Sequence, residues 1–235
     1  MPRRLYLVRH GETAANVFKI IEGQGAGFPE YGAPLNHTGL SQADLLGRAL
    51  AEVNFNHVYM SPAKRARETA NLICLWAEDV WIKANKVPLK RAIVPDLLEM
   101  NFGVLEGLDG GKAKEKYPDL FKTYREKPSQ TVFPEGESVV GAYNRVGIAL
   151  SEIVAEHNLN ENVLIVSHGA PLTFIFIHIF KFDLDNMFYA IRHHNCCLSI
   201  IEWDKPDSPK IVCMNDISHL KNEHIQRLKN PAPSF

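Results

Sequence analysis

The 235-residue chain has only four cysteines, Cys74, Cys196, Cys197 and Cys213, and their spacing forms no disulfide framework. That points away from a stapled secreted scaffold and toward reduced thiols packed as small hydrophobes. Charge of one sign is missing too: 26 Lys and Arg stand against 27 Asp and Glu, a formal net charge of −1. No global field draws nucleic acid or an anionic membrane, so any basic character must be local. The longest apolar stretch, residues 170–180, is too short to span a bilayer and contains His178. After Met1-Pro2-Arg3-Arg4 the chain runs straight into a strand pattern, which leaves no room for the zones of a signal peptide. Prolines and glycines are scattered as turn punctuation, with no low-complexity linker. These absences predict one cytoplasmic domain, residues 1–220, followed by a polar tail, residues 221–235, whose partners are neither nucleic acid nor membrane.

A metal site is equally poorly supported. Adjacent Cys196 and Cys197 lie beside His193 and His194, but consecutive strand residues point to opposite faces and do not readily share one ion. No metal and no other cofactor is expected.

What is present is one design used twice. The apolar run Leu5-Tyr6-Leu7-Val8 ends abruptly in Arg9-His10-Gly11, and Val163-Leu164-Ile165-Val166 ends in Ser167-His168-Gly169. Each reads as a short buried strand that delivers polar chemistry at its carboxyl end. In an open parallel sheet ligands sit beyond those ends, so the two histidines are expected to share a crevice suited to a phosphate.

The rest of the chain alternates helix and strand patterns. Helices are predicted over residues 36–52, 61–76, 138–157 and 171–180, with short helices between 112 and 126. In the first, Leu40, Ala43, Leu46, Leu50 and Val53 fall on one face. In the second, Ser61 is expected as the N-cap and Pro62 as the first-turn proline. Strands are predicted over 4–8, 57–60, 92–94, 163–166, 197–203 and 210–214. The alternation predicts an α/β fold, a three-layer α/β/α sandwich around a mostly parallel sheet.

Phosphate ester hydrolysis needs a nucleophile, positive charge on the nonbridging oxygens and an acid for the leaving alkoxide. His10 is the candidate nucleophile, since a neutral imidazole attacks phosphorus while its other nitrogen is held by an acceptor. Arg9 and Arg65 keep their charge when partly buried and present a fork matched to phosphate oxygens. Arg65 falls in the first turn of its helix, where a cation is unfavourable unless an anion lies nearby. Gly11 and Gly169 are expected to let the backbone approach the ligand. Glu99, after Leu97-Leu98 at the exit of an extended segment, is a candidate acid, and a carboxyl near a phosphate dianion should have a raised pKa. Glu106 is expected to support the loop.

These residues resemble the histidine phosphatases, the phosphoglycerate mutase-like superfamily. The resemblance rests on Arg9-His10-Gly11-Glu12, Asn16 and residues 34–40, 61–70 and 98–107. Gly136-Glu137-Ser138, Ser167-His168-Gly169 and residues 215–220 continue it, so that it covers about residues 4–220. It implies that His10 carries a phosphohistidine, that Arg9, Arg65 and His168 surround the phosphoryl oxygens, and that Glu99 is the proton donor. It also implies that Asn16 and the Glu22-Gly23 turn line the phosphate pocket. Mutases of the superfamily typically carry Glu-Arg-His-Tyr-Gly and a longer basic insertion, where this chain has Glu99-Met100-Asn101-Phe102-Gly103. The pattern is therefore more similar to the broad-specificity and α-ribazole-phosphate phosphatase branch. Ala15 and Leu105 replace common aromatics and are expected to reshape the pocket. The loop 25–33 is expected to form a rim or lid, and residues 112–127 to supply positive charge near the mouth or simply a solvated face.

The expected activity is metal-independent hydrolysis of a small cytosolic phosphate ester by a monomer or homodimer. Phosphoglycerate mutase is the same-class alternative, and a catalytically silent binding protein on the same fold is the other. The intact set Arg9, His10, Arg65, Glu99 and His168 argues against silence.

Overall fold

Alternate residues of the two histidine-terminated strands feed opposite cores. The computed structural model describes residues 3–25, 32–83, 89–187, 191–205 and 207–221. In chain order its elements are β1 (Arg4–Arg9), α1 (Ala14–Phe18), α2 (His37–Leu50), β2 (His57–Met60), α3 (Lys64–Lys83) and β3 (Lys90–Ile93). They continue with α4 (Gly110–Lys116), α5 (Pro118–Glu126), α6 (Val139–Ala155), β4 (Asn162–Ser167), α7 (Gly169–Phe180), α8 (Leu184–Met187), β5 (Leu198–Trp203) and β6 (Pro209–Asp216). Leu5, Leu7, Val163 and Ile165 pack with Val146 and Leu150 of α6 and Leu172 of α7. Tyr6, Val8, Leu164 and Val166 pack with Leu46 of α2 and Ala66, Ala70 and Ile73 of α3. Strands covered on both faces read as continuous apolar runs, and the result is the three-layer sandwich.

The sheet order is β3-β2-β4-β1-β5-β6. The first four strands are mutually parallel, β5 runs antiparallel to β1, and β6 runs antiparallel to β5. All four parallel strands therefore end on one edge. The register aligns Arg9 with Ser167, and the His10 amide donates to the Ser167 carbonyl at 3.0 Å, so His10 and His168 leave the sheet side by side. Ser61 leaves β2 on the same edge, its amide donating to the Val166 carbonyl at 3.0 Å.

The helix ends explain where the expectations hold and fail. Asn36 caps α2 by accepting from the Gly39 amide at 2.8 Å, and Ser138 caps α6 by accepting from the Gly141 amide at 2.9 Å. Ser61 does not start a helix. α3 begins at Lys64, with the Ala66 and Arg67 amides both on the Ala63 carbonyl, because the Ser61 hydroxyl is engaged 2.8 Å from His168 Nε2. α3 also runs well past Trp76. Leu40 is 39% exposed, so the inward face of α2 passes through Gly39, Ala43, Leu46 and Leu50 instead. Leu105 is buried in the core beside Met100 and Phe133, and Ala15 is buried as well. α1 and α8 are short elements that periodicity did not signal. Most of the loop expected as a rim, residues 26–31, and the tail beyond Lys221 lie outside the described residues. No helix among the described residues is long and apolar enough to cross a membrane.

Gly39 is what lets α2 lie against the motif loop. A Cβ there would stand 2.1 Å from the Glu12 carbonyl oxygen, and a Cβ on Gly11 would stand 2.7 Å from the Gly39 carbonyl oxygen. Both obstacles are backbone, which cannot swing aside. Gly11 thus serves packing against α2. Gly39→Ala should cost about 2 kcal/mol or more, the upper range for overpacking a tight contact, read as a lower urea midpoint. An unchanged midpoint would show that the loop yields freely.

Candidate active site

Two arginines and two histidines converge on the carboxyl edge of the parallel strands. Arg65 is 1% exposed, and each part of its guanidinium is committed. Nη1 donates to Glu22 Oε1 at 2.9 Å, Nη2 to the Gly23 carbonyl at 2.8 Å and Nε to His10 Nε2 at 3.2 Å. The anion required beside a cation in a first helical turn is therefore Glu22. Glu22 also accepts from the Ala33 amide at 2.8 Å and the Thr13 hydroxyl at 3.3 Å. Its contact is with the arginine, and a carboxylate so placed orients the cation without itself attracting phosphate.

The hydrogen bonds fix the tautomer of His10. His10 Nδ1 lies 2.7 Å from the Gly11 carbonyl, which only a protonated nitrogen satisfies, so Nε2 carries the lone pair that accepts from Arg65. Burial, then the charges of Arg65 and Arg9, hold His10 well below the usual imidazole range, leaving it a neutral nucleophile. Ser61 Oγ accepts from the Ala63 amide at 3.3 Å and lies 2.8 Å from His168 Nε2. His168 Nδ1 is buried and has no hydrogen-bond partner among the described residues. Arg9 Nε is buried in the same condition, while Nη1 donates to the His193 carbonyl at 2.6 Å. The two imidazole rings sit 5.1 Å apart, centre to centre. Burial lowers the pKa of both guanidinium groups and of His168, yet an arginine starts so high that it stays charged.

Glu99 reaches the same edge from the loop after β3. Its Oε1 accepts from the Met100 amide at 3.0 Å, and its Oε2 accepts from the Gly169 amide, the first residue of α7, at 3.2 Å. Burial raises its pKa, partly offset by the Met100 amide and the charges of Arg65, Arg9 and Arg145. Gly169 accommodates this contact easily, since a Cβ there would stay 3.8 Å from Glu99 Oε2. Glu106 Oε1 accepts from the Gln24 and Phe102 amides, at 3.1 and 3.0 Å. Asn16 Oδ1 accepts from the Thr13 amide at 3.1 Å and Asn195 Nδ2 at 3.0 Å, which leaves its own Nδ2 to present donors.

Three supporting residues escaped the sequence. Ser61 was expected only as a helix cap. Asn195 Nδ2 ties His10 O, Gly11 O and Asn16 Oδ1 together, at 3.2, 3.3 and 3.0 Å. Arg145, on α6, donates to the carbonyls of Asp96, Leu98 and Glu99 at 2.7, 2.9 and 2.9 Å while paired with Glu137. The Gly136-Glu137-Ser138 motif is the one hint of this clamp, and nothing in a lone helical arginine marks its partner. Cys196 and Cys197 precede β5, and Cys196 turns through a left-handed φ of 53°. Burial keeps both thiols protonated.

Residues 5–217 match the family model described as the histidine phosphatase superfamily, branch 1. The chain belongs to this superfamily. Phosphoserine phosphatase 1 of Hydrogenobacter thermophilus is 29% identical over 226 residues, covering 96% of this histidine phosphatase and 98% of the relative. A probable phosphoglycerate mutase GpmB of Erwinia tasmaniensis is 29% identical over 234 residues, covering 96% and 99%. Among solved structures, YhfR of Bacillus stearothermophilus superposes with a TM-score of 0.78 at 26% identity, covering 93% of this chain and 99% of its own.

Buried neutral histidines make the histidine phosphatase acid-sensitive in a predictable sense. His10, His168 and His193 all have folded pKa values below the unfolded value, His193 at about 3 with burial as the leading cause. As pH falls below about 6.5 the unfolded chain takes up protons that the native state refuses, so stability falls by up to about 1.4 kcal/mol per pH unit per histidine. Glu99, raised, works oppositely, since the native state takes up its proton before the unfolded chain does. Urea midpoints should fall from pH 6.5 to 5, and His193→Asn should flatten that slope. An unchanged slope in His193→Asn would contradict this assignment.

Proposed function

We propose that residues 1–220 form one catalytic domain that hydrolyses a small phosphate monoester through a phosphohistidine on His10. The observation that carries this reading is the lone pair of His10 Nε2, held neutral and aligned on the Arg65 Nε donor, with Arg9 and His168 on the same edge. The residues that divide the work are Arg9, His10, Arg65, Glu99 and His168, while Asn16, Glu22, Gly23, Gly11 and Gly169 build the pocket around them. An incoming phosphoryl group takes the Arg65 Nε donor that otherwise points at Nε2, and the orphaned Arg9 Nε and His168 Nδ1 donate to its other oxygens. His10 Nε2 attacks phosphorus, the P–O ester bond breaks, and Glu99 gives its proton to the departing oxygen. Water then attacks the phosphohistidine, Glu99 takes the water's proton, and the P–N bond breaks to release inorganic phosphate. No step needs a metal ion. The free, buried Cys74, Cys196 and Cys197 support a reducing, cytoplasmic setting.

Rapid quenching with a labelled ester should yield a protein-bound phosphoryl group that is labile in acid and stable in alkali, and His10→Ala should abolish it. Label on a serine would overturn the mechanism. Turnover should survive exhaustive chelation. Phosphate release should exceed isomerisation of 3-phosphoglycerate even when 2,3-bisphosphoglycerate is supplied, and dominant isomerisation would favour a mutase instead.

Glu99→Gln separates acid catalysis from positioning. In single-turnover phosphoryl transfer an alkyl phosphate should lose on the order of 10²–10⁴ in rate, the scale of a positioned general acid. A nitrophenyl phosphate, whose leaving group is already a stable anion, should lose far less. Equal losses would assign Glu99 to positioning and make Glu106 the next acid to test.

A further inference from the structure

At the opposite edge of the sheet, where β2 begins and α6 ends, a second polar cluster has no part in phosphate chemistry. One ring nitrogen each of His57 and His157 and a Glu156 carboxylate oxygen lie within 4.8 Å of one another. They surround the Tyr59 hydroxyl, which is 2.5 Å from Glu156 Oε2, 3.0 Å from His157 Nε2 and 3.4 Å from His57 Nδ1. A phenol has one hydrogen, and Glu156, an obligate acceptor, takes it at the shortest distance. Behind the cluster, His157 Nδ1 lies 3.2 Å from Glu161 Oε2. That contact places the Nδ1 hydrogen on Glu161, so His157 bridges Glu161 and the Tyr59 oxygen, and a bound ion would displace the hydrogen between Nε2 and that oxygen.

We propose that His57, Glu156 and His157 form a binding site for a divalent transition ion of the zinc class, with Glu161 orienting His157. Two imidazole nitrogens and one carboxylate oxygen are a donor set that favours zinc, cobalt, nickel or copper over magnesium or calcium. Tetrahedral ligands roughly 2.1 Å from zinc stand roughly 3.4 Å apart, so the cluster has to contract by about an ångström. Glu156 is exposed and His57 half-buried, so both can make that movement once the Tyr59 hydroxyl gives up its contacts with them, whereas His157 is buried and fixed. The carboxylate behind a ligating histidine is the usual device that sets its tautomer and raises its basicity. The location adds a further attraction: Glu156 is the C-cap of the 17-residue α6, the end of a helix dipole that favours cations. Three protein ligands with an exposed Glu156 leave the fourth position to water. The ion would tie the end of α6 to the start of β2, so its effect falls on stability.

The test uses the full chain, stripped with a chelator and titrated with Zn²⁺ and with Co²⁺, whose visible absorption reports its ligands. One ion should bind per chain and raise Tm. Binding should persist in His10→Asn, which excludes the phosphate pocket. It should be lost in His57→Gln and His157→Gln and weakened about 10–100-fold in Glu161→Gln, the range for removing such a supporting carboxylate. Full-strength binding in His57→Gln, or no stoichiometric binding by the wild type, would overturn the proposal. Should the variants fail to fold, anomalous diffraction at the zinc edge on wild-type crystals decides it: a peak among these three residues supports the site, and its absence removes it. Phosphatase turnover is read separately and does not depend on the outcome.

Discussion

Burying one guanidinium constrains much of this molecule. Arg65 gives up hydration and must recover it from groups held in place for that purpose. Glu22 supplies the countercharge, and Gly23 turns through a φ of 53° to aim its carbonyl at Nη2. Gly32 has to be glycine beside it, since a Cβ there would stand 2.9 Å from Nη1. Thr69 accepts from the Gly11 amide at 3.0 Å and donates to the Arg65 carbonyl at 2.7 Å, which ties the helix carrying the arginine to the loop carrying the histidine. Burial, and then the same cation, lower the pKa of His10 and keep it neutral. An arrangement that costs folding energy is thus the one that prepares the nucleophile.

Glu99 is held by a separate and cheaper device. It stands on a loop, where a rigid element cannot position it, so the loop's own carbonyls are gathered by Arg145. That arginine is half-buried and paired with Glu137 through two contacts, Nε to Oε2 at 3.1 Å and Nη2 to Oε1 at 2.8 Å. Glu137 Oε1 in turn accepts from the Asn101 amide at 2.8 Å. Arg145 is therefore a positioning residue, acting on the acid through the backbone and not on the phosphate. Burial raises the carboxyl's pKa despite the nearby cations, and neither clamp places a full positive charge in hydrogen-bond contact with it.

The fold was legible wherever local pattern and burial agreed. The runs before His10 and His168 are apolar on both faces, and the sheet that follows from them is parallel and covered on both sides. The helix starts expected near 36 and 138 are equally local, and α2 and α6 begin one residue later, capped by Asn36 and Ser138. Ser61 shows where such reading stops. Serine before proline is a good helix start by local chemistry, and only the neighbouring strand reveals that its hydroxyl belongs to His168. Gly11 is similar, since its partner Gly39 lies 28 residues away and nothing between them announces the contact. Asn195 and Arg145 are long-range partners of backbone carbonyls, which every residue has, so no residue-type pattern could single them out.

The two ends of β2 carry opposite electrostatic designs. Ser61 follows its carboxyl end, amid buried cations, and His57 opens its amino end among carboxylates, roughly 13 Å away along a four-residue strand. At that distance an uncompensated unit charge acts with about 1 kcal/mol at an effective dielectric near 20, enough to disturb the pKa of His10 or Glu99. Glu156 and Glu161 together carry two negative charges, which match a divalent ion. Loading the cluster would therefore leave little net field along the strand. A loaded cluster would be close to neutral and add little field at the histidine and carboxyl of the other edge, whereas emptying it would leave two negative charges unbalanced there.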